Sequence, residues 1–267
     1  MNYTMKYKLA DDAKPQAKLL VIATLLTIGL WFIPYAEYLV YPIRLFVTFI
    51  HEGSHALVAF VTGGAVQSLT IASDGSGVVY SAPSGFIGQI FTSSAGYLGT
   101  TAFGVLMLFL MRKNVASQKV LFGIGAGVGL ITIVFGIIFP IFNFLSLNVP
   151  FSSVAFTVTV GLLLSAGLIG LALYASERVA NFMIAFLAIQ CLLNALSDLK
   201  TLFFINAPLI GADGISNDAG NMATATGIPA VVWTVIWIAV SVGVIGLGVR
   251  MYMSAKSASP TDSLFND

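Results

Sequence analysis

Charge is what this sequence has least of. Asp, Glu, Lys and Arg make up only 9% of its 267 residues, whereas 58% are hydrophobic and mean hydropathy is +0.95. A soluble domain keeps about a quarter of its residues charged to solvate its surface. A water-facing globule is therefore excluded, and the class is membrane protein. Net charge is +1, which leaves no basic footprint and argues for no nucleic acid partner. The single cysteine, Cys191, lies in an apolar run, so a disulfide framework is excluded and the redox compartment stays open. No internal repeat or low-complexity block stands out, and only two histidines occur.

What the chain has is a series of long apolar runs. A transmembrane helix needs roughly 20 mainly apolar residues, and segments near 19–40, 44–62, 86–111, 119–142, 154–174, 179–204 and 229–250 qualify. The expected fold is an all-α polytopic membrane protein with about six to seven transmembrane helices. It forms one integral membrane domain over 1–267, with polar tails at 1–18 and 251–267. Lys6, Lys8, Lys14 and Lys18 precede the first run as they would in a signal peptide, but no small-residue cleavage site comes before Pro34, so the run reads as a retained span. Loops holding Arg44, Arg112 with Lys113 and Lys119, Arg178, and Arg250 alternate with loops poor in Lys and Arg, and the positive-inside rule makes those four cytoplasmic. Counting spans back from those loops places the N-terminus outside, yet its four lysines argue for the cytoplasmic side. One re-entrant segment among the first three would reconcile the two signals.

Region 63–85 is the main polar interruption. Two runs rich in β-formers, Val66–Ala72 and Gly77–Ser81, flank Ser73-Asp74-Gly75-Ser76. The Asp-Gly step is a hairpin turn signal, so a small β-hairpin is expected directly after the second span.

Both histidines fall in one pentad, His51-Glu52-Gly53-Ser54-His55, the His-Glu-x-x-His pattern. On a helix, positions i and i+4 share a face, so His51 and His55 can present their imidazoles to one metal ion. Glu52 stands beside the first ligand, within reach of a water whose pKa zinc would lower to about 7. Gly53 and Ser54 leave space beside the helix for a substrate backbone. Ionisable groups at membrane depth cost several kcal/mol unless paired or functional, so this cluster in an otherwise apolar helix demands a purpose. The alternative purpose is a polar cluster bonded to neighbouring helices.

Catalytic zinc takes three protein ligands and keeps one position open. With no third histidine, the third ligand is expected to be a carboxylate. Glu37, Glu177 and the tail acids lie at span edges or in tails, and Asp74 sits in the proposed turn. That leaves Asp198, near the end of an apolar segment, and Asp213 or Asp218 in the loop that follows; Asp198 and Asp218 are the two candidates carried forward. Asp198 is held by a helix at membrane depth. Asp218 requires its loop to fold back toward the metal, and otherwise reads as a helix N-cap. If every segment crosses, the second and sixth run in the same direction, with the histidines mid-helix and Asp198 near the far end of its own. A tilt, a re-entrant segment or an inward-folding loop must close that gap.

At these residues the chain resembles the M50 metallopeptidases, the site-2-protease clan, and more narrowly their M50B-like branch. The resemblance rests on FIHEGSHALVAFVTGG, the hairpin with Asp74-Gly75-Ser76-Gly77, AGYLGTTAFGVLML from Ala95, ALSDL around Asp198, and NDAGNMATATGIPAVVW from Asn217 to Trp233. It implies an intramembrane zinc (Zn2+) protease acting on membrane-embedded or membrane-adjacent substrates, with His51 and His55 on the metal and Glu52 as general base. The Asn-x-x-Pro…Leu-Asp-Gly signature of better-known site-2 proteases is absent; Asn194 and Asp198 echo it without the proline or the glycine. The branch has acidic positions matching both Asp198 and Asp218.

The expected function is thus a multi-pass intramembrane zinc metalloprotease whose partners are the lipid bilayer and a membrane protein substrate. A substrate helix must locally unwind to expose its carbonyls, and the hairpin offers it a strand to pair with. Gly63, Gly64 and the Gly96, Gly99, Gly104 series permit close backbone approach, or tight helix packing in lipid. The rival reading is a non-catalytic scaffold or a metal-binding transporter that retains the fold. An intact Glu52 argues against a scaffold, and a transporter would spread its ionisable groups over several spans.

Overall fold

The computed structural model describes residues 13–253, apart from 31, 114, 145–148 and 210–216. Helices α1 (Ala13–Leu30) and α2 (Ala36–Val61) lead into strands β1 (Ala65–Ile71) and β2 (Gly77–Ala82), followed by α3 (Gly85–Arg112). Next, α4 (Ser117–Ile131) runs through a π-helical stretch, Thr132–Ile138, into the short α5 (Phe139–Phe142). Helices α6 (Phe151–Tyr174), α7 (Glu177–Asn206), α8 (Asp218–Thr226) and α9 (Ala230–Met253) complete the chain.

Among the described residues, five helices are long and apolar enough to cross a membrane: Gly85–Arg112, Ser117–Phe142, Phe151–Tyr174, Glu177–Asn206 and Ala230–Met253. A shorter apolar helix covers Leu20–Leu30. With α2, whose apolar character is diluted by Arg44, His51, Glu52 and His55, this is the multi-pass all-α membrane architecture expected from the sequence. Leu25, Leu163, Leu173, Val242 and Leu247 stand exposed on the outside, an apolar surface of the kind that lipid covers.

The first two helices divide differently from the apolar runs. Their break falls around Pro34, not near Pro42, and Tyr35 adopts a left-handed conformation (φ 62°) at the N-cap just before Ala36. Pro42 is absorbed inside α2, where it removes one backbone donor without ending the helix. Helix α1 begins at Ala13, inside the stretch expected as a polar N-terminal tail.

The hairpin forms where the Asp-Gly step predicts it. Gly75 takes φ 84°, a conformation glycine alone adopts freely, and Asp74 Oδ1 accepts from Ser76 N (2.9 Å) and Ser76 Oγ (2.6 Å). β1 and β2 pair antiparallel from Ile71↔Gly77 to Ala65↔Ala82, with a bulge between Val66 and Ser68. Two helices clamp this unit. On α2, Tyr41 Oη donates to Ser73 O (2.6 Å) and Thr48 Oγ1 to Gly75 O (2.9 Å). On α6, Thr157 Oγ1 accepts from Ile71 N at 2.7 Å.

That last bond covers the outer edge of β1, so among the described residues the open edge of the sheet belongs to β2. Ala72 N donates to Ser76 O (2.8 Å), closing the first rung, so at the next pair Ile71 and Gly77 turn their backbone groups outward. By the period of two, Gly77, Val79 and Ser81 present N–H and C=O on the outer edge of β2. β1 is almost wholly buried, whereas β2 alternates between half-buried and exposed.

The main core gathers Phe46 and Phe49 of α2, Leu69 and Ile71 of β1, Leu108 of α3, Leu121 of α4, and Ile184 and Cys191 of α7. A second cluster joins Leu199 and Leu202 of α7, Ala219 and Met222 of α8, and Ala230 and Trp237 of α9. This second cluster seats α8 against the bundle.

Candidate metal centre

His51 and His55 lie one turn apart on α2, and their Nε2 atoms face each other at 3.2 Å. The carboxylate that meets them belongs to Asp218: its Oδ2 stands 3.2 Å from His55 Nε2 and 3.7 Å from His51 Nε2. Asp218 is the first residue of α8, where a negative charge also complements the helix dipole. It is not the N-cap. That position is Asn217, whose Oδ1 accepts from Gly220 N at 2.9 Å.

The arrangement fits a zinc ion by its donor chemistry. His55 Nδ1 lies 2.6 Å from Thr92 O, and a carbonyl can only accept, so the ring proton sits on Nδ1 and the Nε2 lone pair points at the cluster. Tetrahedral ligands about 2.0–2.1 Å from zinc stand about 3.3 Å from one another, close to the separations found here. Gly96 of α3 keeps the space open: a methyl group on it would collide with His51 Nε2 and His55 Nε2. Gly99, one turn further on, lets Ser54 approach α3 in the same way.

Tyr97 and Trp237 brace the outer histidine. The Tyr97 ring meets His51 edge-on at 4.7 Å, and Trp237 packs on Tyr97 at 5.6 Å while its Nε1 donates to Ser94 Oγ (3.1 Å).

Glu52 is buried beside the cluster, pressed against the first residue of β2; a side chain at Gly77 would collide with its carboxylate. Two cavities reach Glu52, His51 and Gly77. The larger, about 480 Å³, is polar and runs along the outer edge of β2, past Gln89, Thr92 and Ser93 of α3, to Asp218 and Asn221. The smaller, about 250 Å³, is lined by Arg44, Thr48, Asn194 and Asp198. Asp198 therefore borders the site but does not join the cluster, in which His51, His55 and Asp218 alone come together among the described residues. Asp213 lies outside the described residues.

Sequence reasoning missed Thr92, Tyr97, Gly77 and Asn217. Thr92 acts through its carbonyl, which any residue possesses, and Gly77 through the absence of a side chain, so neither leaves a mark by type.

A set of transmembrane helices thus encloses two imidazoles and a carboxylate that could hold a metal ion, with a further glutamate at hand. A family model described as Peptidase M50B-like matches residues 20–248, most of the chain, and the protein belongs to that family. It is a multi-pass integral membrane protein of the site-2-protease kind, and the M50 peptidases are generally zinc-dependent. No curated protein and no solved structure matches the chain.

Proposed function

We propose that this protein is an intramembrane zinc metalloprotease that cuts peptide bonds in membrane-embedded or membrane-adjacent segments, with His51, His55 and Asp218 as the metal ligands and Glu52 as the general base. The observation that carries this reading is the meeting of Asp218 with the two histidine Nε2 atoms (3.2 and 3.7 Å) in a polar cavity that also holds Glu52.

Zinc, when bound, supplies Lewis-acid polarisation of a carbonyl and lowers the pKa of water to about 7. The chain supplies the rest. Glu52 takes the proton of the attacking water and returns it to the leaving amine. Burial and the contact with Gly77 hold Glu52 in one place, as a group that acts twice in a turnover must be held. The outer edge of β2 offers Gly77, Val79 and Ser81 to an unwound substrate segment, which adds as a third strand and brings its carbonyls past Glu52. The sheet edge thereby replaces the internal hydrogen bonds that a transmembrane substrate loses on unwinding.

The test is a comparison of membranes from cells producing wild type or Glu52→Gln. Mass spectrometry should find peptide fragments ending within or beside transmembrane segments in the wild-type sample alone. Identical fragment patterns, from protein shown to contain zinc, would defeat the protease reading and favour a scaffold.

A further inference from the structure

Asp218 reaches the histidines from a short helix that follows a long connection, so something must hold the start of α8 in place. Two amides do this, one buried and one half-buried. Asn206 is the last residue of α7 and is 1% exposed. Its Oδ1 accepts from Asn217 Nδ2 at 3.1 Å, and its Nδ2 donates to Thr234 Oγ1 of α9 at 3.3 Å. Thr234, 0% exposed, spends its own proton on Ala230 O at 3.0 Å. Asn217 Oδ1 is already taken by Gly220 N at 2.9 Å, which fixes its Nδ2 as the group facing Asn206.

Each polarity in this chain is set by the next: Asn217 donates to Asn206, Asn206 to Thr234, and Thr234 to a helix carbonyl. Flipping either amide would set like against like at the buried Asn206, where an unsatisfied polar group is costly. The relay ties α7, α8 and α9 at one point, and that point is one residue from Asp218. It also joins the two ends of the 207–216 connection. The other end of α8 is held separately, by Trp233 Nε1 donating to Thr226 Oγ1 at 3.0 Å.

We propose that Asn206 is a positioning residue for the metal centre: through Asn217 it sets where α8 begins, and so holds the Asp218 carboxylate against His51 and His55. This rests on the reading of Asp218 as a zinc ligand. Partners that orient a ligand commonly change metal affinity about 10–100-fold when removed, so Asn206 belongs to the metal centre in function although it touches no ligand.

Zinc affinity of the full-length protein in detergent, measured by chelator competition, tests this on wild type, Asp218→Ala, Asn206→Leu and Asn217→Ser. Visible spectra at cobalt(II) saturation accompany each variant. Asn206→Leu should weaken zinc binding about 10–100-fold and shift the cobalt spectrum toward that of Asp218→Ala. Asn217→Ser keeps a helix cap but cannot reach Asn206, and should do the same; it decides the matter alone if Asn206→Leu fails to fold. A purely structural role would lower thermal stability while leaving zinc affinity and the cobalt spectrum of the folded protein unchanged, and that result overturns the proposal. Wild type without zinc, or Asp218→Ala binding zinc as wild type does, would instead bring down the ligand assignment on which the proposal stands.

Discussion

Asp218 Oδ2 lies 3.2 Å from His55 Nε2, although the two residues are separated in sequence by the hairpin and four long helices. Asp198, carried by a helix of the bundle, lines a neighbouring cavity instead. Metal analysis should therefore separate the two aspartates. Purified wild type is expected to carry about one zinc per chain, held by three protein ligands with one position open, and His55→Ala and Asp218→Ala should lose it. Asp198→Ala should keep it. Zinc lost with Asp198 and kept without Asp218 would reverse the assignment.

Glu52 lies against Gly77 and is not part of the ligand cluster. Glu52→Gln preserves size and removes the base, so zinc content should match wild type. Proteolysis should fall by about 10²–10⁴-fold, the usual share of a general base. Turnover undiminished in this variant would remove Glu52 from the mechanism.

Gly96 offers a sharper steric test. Glycine to alanine inside a helix ordinarily stabilises it by about 1 kcal/mol, but here the methyl group would occupy the space between the two Nε2 atoms. Gly96→Ala is expected to lose zinc while unfolding no earlier than metal-free wild type. Full zinc occupancy in this variant would show that α3 does not define the floor of the site.

The outer edge of β2 is tested by Val79→Pro. Val79 N–H points away from β1, so proline removes a donor the hairpin does not use, as edge positions tolerate. Zinc should remain while cleavage of a membrane substrate falls through a higher KM. An unchanged KM would argue that substrates do not pair with this strand.

Much of this was legible along the chain. Seven apolar runs announced a multi-pass bundle, and the structure keeps five as long apolar helices. The Asp74-Gly75 step located the hairpin to within about a residue. The relation of His51 to His55 is a property of one helix turn. In each case the determinant is local: hydropathy over one segment, a turn geometry, or the helical period.

Which carboxylate meets the histidines was not local. Asp198 and Asp218 differ little as residues, and the choice between them was made by the packing of Ala219 and Met222 against α7 and α9, with the Asn217–Asn206–Thr234 relay at the start of α8. The break between α1 and α2 was likewise decided by the backbone, which turns left-handed at Tyr35 and carries Pro42 inside α2. The sequence by itself determined the membrane class, the hairpin and the His51-Glu52-His55 pentad, because each is fixed by neighbours within a turn or two. Only the tertiary structure decided the Asp218 contact, the glycine floor at Gly96 and the free edge of β2, because these depend on surfaces brought together from distant parts of the chain.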